Sequence, residues 1–360
     1  MKMGPVVDIS VTALKAHKTR SMLASLGVMI GIAAVIIMVA IGKGSEQEVM
    51  EVISRMGRHL ITIQAGEVKR RGDRLRLTGT VTTLRPRDAQ QVRVEVPQVQ
   101  AVAPFEIQSM KVKFGRLVTQ TQVAGSTPSF FTVRQYDVAR GNYFTDRDLK
   151  LARRVAIIGQ TTLKNIFGLV DPIGQVLRIR GIPFRVIGVF RSKGLDSNGM
   201  DQDDIILVPL TTLLRRVLNQ THITTIYARA GSRDSIPQAV ESIRAVLREA
   251  HRLRPQEEDD FSIVSQLDIE EMKRETTELF TKLIVGVAAI SLVVGGIGIL
   301  AVMLASVKER TREIGLRRAV GATRPDIVQQ FLMESIVIGL WGGGIGIALG
   351  VVITLGVNRW

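Results

Sequence analysis

The chain contains no cysteine, which excludes disulfide frameworks, thiolate nucleophiles and cysteine-held metal sites. Aromatic residues make up only 4% of it, and no stretch interleaves them with Arg or Lys as base-stacking platforms require. The formal charge of +15 therefore suits anionic lipid headgroups or envelope polymers, and no nucleic-acid partner is expected. His17, His59, His222 and His251 are scattered without HExxH or paired-ligand spacing, so no metal site is expected. There is no GxSxG elbow, and no other catalytic constellation is found. Gly42-Lys43-Gly44-Ser45 resembles a phosphate-cradling loop only in part, because Ile37 stands where the first glycine of such a loop belongs. The chain is therefore not expected to be an enzyme or to bind a cofactor itself.

Charge is also missing from three long runs. Ser21 to Gly42, Leu283 to Val307 and Ser335 to Val357 contain no Asp, Glu, Lys or Arg. Each exceeds the roughly 20 residues that an α-helix needs to cross hydrocarbon, and none returns to polar residues every turn as a soluble amphipathic helix does. Three transmembrane spans are expected, at 21–42, 283–307 and 335–357. A cleaved signal peptide does not fit the first run, since an apolar h-region is about 7 to 15 residues long. Lys15, Lys18 and Arg20 precede the first span, and Lys308, Arg310, Arg312, Arg317, Arg318 and Arg324 fill the gap between the second and third. Short basic flanks stay in the cytoplasm. That orientation gives a cytoplasmic amphipathic N-terminal helix over 1–20, a domain outside the cytoplasm over 43–282 and a cytoplasmic segment over 308–334, in a multi-pass protein of the cell inner membrane.

The outer domain reads as α+β. HLITIQ at His59 to Gln64 alternates as a strand does, Arg87 to Glu95 behind Pro86 reads as a short helix, and Val99 to Ala103 as the next strand. A strand around Tyr227 follows. Ile236, Val240, Ile243, Val246 and Leu247 then recur at helical spacing after Ser235, a candidate N-cap, and Phe261 to Val264 closes as a strand. These pieces give strand, helix and strand units at both ends of the domain. A β-rich insert over about 134–209 lies between them, and a stalk helix is expected over about 267–282. Asp196, Asn198, Asp201, Asp203 and Asp204 hint at a calcium loop, but Gly199 and Met200 break the required spacing. The acidic run Glu257 to Asp260 reads as a solvated turn.

VKERTREIGLRRAVGATRPDIVQQFLMES, from Val307 to Ser335, reads as a charged helix, a break at Gly321-Ala322 and a second helix. Gly321 can adopt the left-handed backbone that ends the first helix. Thr323 can cap the second with Asp326 three residues on, and Pro325 is tolerated in the first turn. So definite a double helix suits an elbow moved by a partner protein better than a passive connector.

KERTREIGLRRAVGAT before a third span, together with ALKAHKTRSMLASLGVMIGIAAVI near the N-terminus, resembles the FtsX-like permease superfamily of ATP-binding-cassette (ABC) systems. VAIIGQTTLKNIFG, DPIGQVLRIRGIPFRVIGVF and GMDQDDIILVPLTT are similar to the periplasmic core domain of its MacB type. The resemblance implies a homodimeric transmembrane subunit driven by a cytoplasmic ABC ATPase subunit that hydrolyses ATP. It further implies an outer domain with a porter-like part and an inserted β-rich part, and it admits a periplasmic adaptor and an outer-membrane channel as partners. Helices of such systems relay ATP-driven closure outward (mechanotransmission), in efflux of antibiotics, peptides or similar substrates. Carried onto this chain, the contact with the ATPase falls on Glu309, Arg310, Arg312, Glu313, Gly315, Arg317, Gly321, Ala322 and Pro325. Two departures stand out. The family has four spans and this chain ends at Asn358-Arg359-Trp360 after three, so truncation is expected; it also carries no ATPase, so a separate one is expected. The alternative function within the superfamily is a regulatory permease acting on an envelope partner such as a cell-wall hydrolase; the insert argues against it. A membrane-anchored adhesion protein is the alternative outside the superfamily, and it would need no elbow.

Gly27 and Gly31 on the first span, and Gly342, Gly346 and Gly350 on the third, sit four residues apart. Such spacing lets helix backbones approach closely in lipid. Contacts within one subunit and across a dimer both satisfy it.

Overall fold

The computed structural model describes residues 26–40, 44, 59–71, 74–78, 82–196 and 199–357, and the chain divides into two units, Val49–Met272 and Met1–Glu48 with Lys273–Trp360. In chain order the helices are α1 (Leu26–Ala40), α2 (Pro86–Glu95), α3 (Ser129–Val133), α4 (Asp146–Lys150), α5 (Gln160–Ile166), α6 (Leu210–Thr212), α7 (Ile236–His251), α8 (Gln266–Glu309), α9 (Thr311–Ala319) and α10 (Arg324–Val357). The strands are β1 (Leu60–Ala65), β2 (Glu67–Arg71), β3 (Arg74–Thr78), β4 (Val99–Phe114), β5 (Leu117–Ser126), β6 (Val138–Gly141), β7 (Val155–Ile158), β8 (Val176–Ile179), β9 (Ile182–Phe190), β10 (Ile205–Pro209), β11 (Thr225–Ala230) and β12 (Phe261–Ser265).

In the unit Val49–Met272, β2 and β3 form a hairpin and the other strands form one sheet. Its order is β12-β1-β11-β4-β5-β10-β7-β9-β6, with β8 pairing β4 and β9. The first four strands, with α2 and α7, make two β-α-β halves, β1-α2-β4 and β11-α7-β12. Their interleaved antiparallel order is the ferredoxin-like arrangement. Helix α7 buries Ile236, Ala239, Ile243 and Leu247, three or four residues apart. This stripe meets Ala89 and Val92 of α2 and Ile61 and Ile63 of β1 in one core. Burying each large aliphatic side chain is worth about 1.5–3 kcal/mol. Ser235 stands at the N-cap of α7, but its hydroxyl donates to the Ser232 carbonyl at 2.9 Å and makes no cap bond to the helix. An αR backbone at Ser235 (φ −82°, ψ −8°) replaces the extended one that a capping side chain prefers.

Strand β4 is three times the length that its sequence signals, because Pro104 reads as a strand breaker. The structure accommodates Pro104 by turning its carbonyl to the Ser126 hydroxyl, 2.7 Å away. Val99 to Phe105 pair with β11, and Phe105 to Phe114 pair with β5. The inserted part is thus an extension of the ferredoxin-like sheet through one shared strand. Its inner face packs Met110, Phe167, Leu177, Phe184 and Val208. A second core, rich in rings, holds Phe105, Phe130, Tyr136, Phe144 and Phe190, with Phe105 and Phe130 stacked at 5.3 Å.

Helix α8, most of which belongs to the other unit, has 44 residues and α10 has 34. Their most apolar stretches have mean hydropathy 2.6 and 2.3, yet only 6% and 28% of those stretches are buried. Leu283 and Ile290 are each 66% exposed. Among the described residues, two helices are long and apolar enough to span a membrane. Helix α1 is shorter; residues 21–25 and 41–42 of the first apolar run, and the amphipathic segment expected over 1–20, lie outside the described residues. No helix end falls at 282/283 or 334/335. Helix α8 includes both the expected stalk and the second apolar run, and α10 includes the end of the elbow and the third.

Candidate functional site

The elbow begins where α8 ends. Arg310 leaves the helical region (φ −90°, ψ 12°), and the Thr311 hydroxyl donates back to the Lys308 carbonyl at 2.7 Å. Helix α9 follows with none of its residues buried. It closes through the Gly321 N–H on the Arg318 carbonyl (3.2 Å) and the Ala322 N–H on the Arg317 carbonyl (3.0 Å), the two bonds of a Schellman cap. Gly321 sits at φ +108°, where a side chain is strained. The Asp326 carboxylate accepts the Thr323 N–H at 3.0 Å and also takes the Thr323 hydroxyl, fixing the start of α10. Arg317 bridges the two helices, donating to Gln330 and to Glu313 at 2.6 Å each. Arg310 Nη1 lies 3.7 Å from Glu334 Oε2, and Glu334 is buried.

Of the nine residues assigned to the elbow by resemblance, Glu313, Arg317, Gly321 and Ala322 thus build its shape. Glu309, Arg312, Gly315 and Pro325 are exposed, and Arg310 is half-buried. Leu316 and Val320 are 69% and 85% exposed, and Arg312, Arg318 and Arg324 of the same segment are exposed as well.

The glycines bring α1 against both long helices. A Cβ on Gly27 would lie 3.3 Å from Gly295 Cα, and one on Gly31 would lie 3.0 Å from Ser291 Cβ, so both face α8. A Cβ on Gly346 would lie 2.7 Å from the Met29 carbonyl, and one on Gly350 would lie 2.9 Å from Ile36 Cβ, so both face α1. Gly342 is buried. These approaches lie within one chain.

In the outer unit, two of the acids whose spacing only hints at a calcium loop are committed to hydrogen bonds. Asp203 accepts the Lys193 N–H at 2.8 Å, the Gly194 N–H at 3.1 Å and the Ser192 hydroxyl. Asp204 accepts the hydroxyls of Thr121 and Thr162. Asn198 lies outside the described residues. Two members of the acidic run 257–260 are half-buried and paired: Asp259 pairs with Arg244 and Arg248, and Asp260 meets His251 Nδ1 at 2.7 Å. The other ring nitrogen of His251 lies 3.3 Å from Asp88 Oδ2. Two carboxylates on one imidazole favour its charged form. The hydrogen bond to Asp88 outweighs burial and, with the bond to Asp260, raises the His251 pKa above 6.5. Burial alone would raise Asp88, but the bonds from His251 and from the Arg85 N–H hold its carboxyl below 3.8.

A cleft of about 860 Å³, lined by Phe131, Tyr136, Tyr143, Arg191, Lys193 and Arg229 among others, has no counterpart in the sequence reading. Its residues come from four separate segments. One signal was available: Phe130, Phe131, Tyr136, Tyr143 and Phe144 crowd into 130–144 of a chain with only 11 Phe and 3 Tyr.

The sequence matches the family profile of the MacB-like periplasmic core domain over residues 21–246 and that of the FtsX-like permease C-terminal region over 285–357. It is 35% identical to a macrolide export ATP-binding/permease protein MacB of Syntrophobacter fumaroxidans, with 95% of this chain and 55% of that protein covered. For proteins of the same description from Bdellovibrio bacteriovorus and Rhodospirillum rubrum, identity is 36% and 37%, covering 96% and 99% of this chain and 53% and 54% of theirs. The chain thus spans about half the length of the curated relatives it matches. The crystal structure of the periplasmic region of MacB from Actinobacillus actinomycetemcomitans superposes with a TM-score of 0.51 at 23% identity, covering 62% of this chain and 97% of that one, a likeness of fold. By its core-domain match, its permease-region match and its identity to these relatives along nearly its whole length, the chain belongs to the MacB-like, FtsX-like permease family of ABC transporters.

Proposed function

We propose that this chain is the permease subunit of an export system in which a cytoplasmic ABC ATPase docks on the elbow, and ATP hydrolysis there moves the outer unit. The observation that carries this reading is the elbow itself. Two caps and the Arg317 bridge hold a surface with exposed Leu316, Val320 and arginines between two helices of membrane length. A connector without a partner would not need that rigidity. Family membership supports an ATPase partner, since the relatives are described as ATP-binding/permease proteins. Helix α8, unbroken from Gln266 to Glu309, is the route by which motion at the elbow would leave the cytoplasm. The chain would act as a homodimer in the inner membrane, with a periplasmic adaptor and an outer-membrane channel completing the path. Its cargo would be antibiotics, macrolides among them, or peptides.

Two experiments test this reading. Because the chain has no cysteine, Arg312→Cys provides a unique thiol. A membrane-impermeant maleimide should label it in inside-out vesicles and leave it unlabelled in intact spheroplasts; the reverse pattern would place the elbow outside and end the proposal. With the ATPase co-expressed, Glu309→Lys, which reverses a charge on the elbow, and Gly321→Val, where strain at a positive φ costs about 1–3 kcal/mol, should each reduce export-linked drug resistance and permease-stimulated ATPase activity about tenfold or more. Hydrogen exchange of the outer unit should not change. Wild-type values for both activities would refute the docking role.

A further inference from the structure

The cleft of about 860 Å³ is within the size of small-molecule sites, about 300–1,000 Å³. One side is ring surface: Phe131 and Tyr143 meet edge to face at 4.6 Å, and Tyr136 lies buried beside them. The charged groups are unbalanced, with Arg191, Lys193 and Arg229 against the single carboxylate of Asp137. Two of the cations, Lys193 and Arg229, are held in place. Asp203 fixes the backbone around Lys193, whose Nζ sits 4.3 Å above the Tyr136 ring and donates to the Arg134 carbonyl. Arg229 donates to the Thr132 carbonyl at 3.4 Å and to Gln100 at 3.3 Å, while its Nε is buried without a hydrogen-bond partner. A buried donor left unmatched, as Arg229 Nε is, costs about 1–3 kcal/mol.

We infer that this cleft is a binding site for a small organic anion, a carboxylate carried on a flat aromatic body. The carboxylate supplies negative charge where Arg191, Lys193 and Arg229 face only Asp137, and the aromatic body lies on Phe131 and Tyr143. Cationic ligands are disfavoured by the same field. Burial and the neighbouring Arg134 lower the Lys193 pKa from 10.5 to about 7, against the opposing pull of Asp137 and Asp203. The Tyr136 hydroxyl, pushed up to about 12 chiefly by burial, stays neutral. Arg134, Asp137, Asp203 and Tyr136 are the titratable groups around the amine. Anion affinity should fall as pH rises through about 7.

Binding is measured without an ATPase, so the result is independent of the coupling role proposed above. Isothermal titration of the full chain in zwitterionic lipid nanodiscs, with empty nanodiscs as blank, would use three matched probes: 3-phenylpropanoate, 3-phenylpropanamide and 3-phenylpropylamine. The carboxylate should bind saturably, the amide about tenfold more weakly and the amine not at all, since a charge contact of about 1.4 kcal/mol is tenfold in affinity. Arg191→Glu, a change at an exposed side chain, should weaken the carboxylate tenfold or more. Lys193→Met should weaken it and flatten its pH dependence. Equal binding of all three probes, no saturable heat from the carboxylate up to roughly 10 mM, or wild-type affinity in Arg191→Glu would each overturn the assignment.

Discussion

Gly346→Leu is expected to lower the thermal midpoint of the detergent-purified chain by about 5–10 °C, because overpacking a tight contact costs about 1–3 kcal/mol or more. A Cβ at this position would stand 2.7 Å from the Met29 carbonyl and 3.1 Å from Met29 Cα. Backbone cannot swing aside as a side-chain tip can. Even Gly346→Ala should therefore destabilise, whereas Gly344→Ala and Gly339→Ala, where nothing lies within 4 Å of the added carbon, should match wild type or exceed it through better helix propensity. The loss arises between α1 and α10 of one chain, so it should not depend on protein concentration. A Gly346→Leu chain that melts with the wild type, or a midpoint that recovers at higher concentration, would contradict the packing described.

Removing the imidazole with His251→Ala is expected to cost about 3–5 kcal/mol locally, the price of breaking a buried ion pair. Asp88, with its side chain 1% exposed, would keep its charge without its partner. Amide exchange in peptides covering α2 and α7 should accelerate by two or more orders of magnitude, and the double variant Asp88→Asn with His251→Gln should recover part of the loss. If the single variant exchanges like wild type, the cluster contributes nothing. The sign of the pH dependence follows from the shifts. His251 is raised in the folded state, so its contribution is complete below 6.5 and is lost as pH rises through the higher folded value. Asp88 is lowered, so its contribution is complete above 3.8 and is lost as pH falls through the lower folded value. Protection of α2 and α7 should be greatest between these limits. It should weaken on the alkaline side in wild type but not in the double variant.

Much of the elbow was legible because its determinants are local. Gly321 is the one residue type that ends a helix at φ +108° without strain, and Thr323 with Asp326 reads as a cap within four residues. Helix α7 was legible for the same reason, from the spacing of Ile236, Ile243 and Leu247. Strand β4 was not, because Pro104 argues locally against the pairing that Ser126, 22 residues on, makes acceptable. In the acidic run 257–260, Glu257 and Glu258 are exposed as read, but Asp259 and Asp260 were misread for a similar reason. Arg244, Arg248 and His251 face it from α7, and Asp88 joins from 163 residues away.

The amino-acid sequence by itself determined where hydrocarbon is favoured, where helices start and stop, and which family the chain resembles, since charge-free runs, capping residues and motifs are properties of short segments. Only the tertiary structure decided that Gly346 faces Met29, that one strand joins the two parts of the outer sheet, and that Lys193, Arg229 and Tyr143 surround one cleft. Those juxtapositions depend on strand register and helix facing. Both are fixed by the summed packing of many distant residues, so no stretch of the chain encodes them alone.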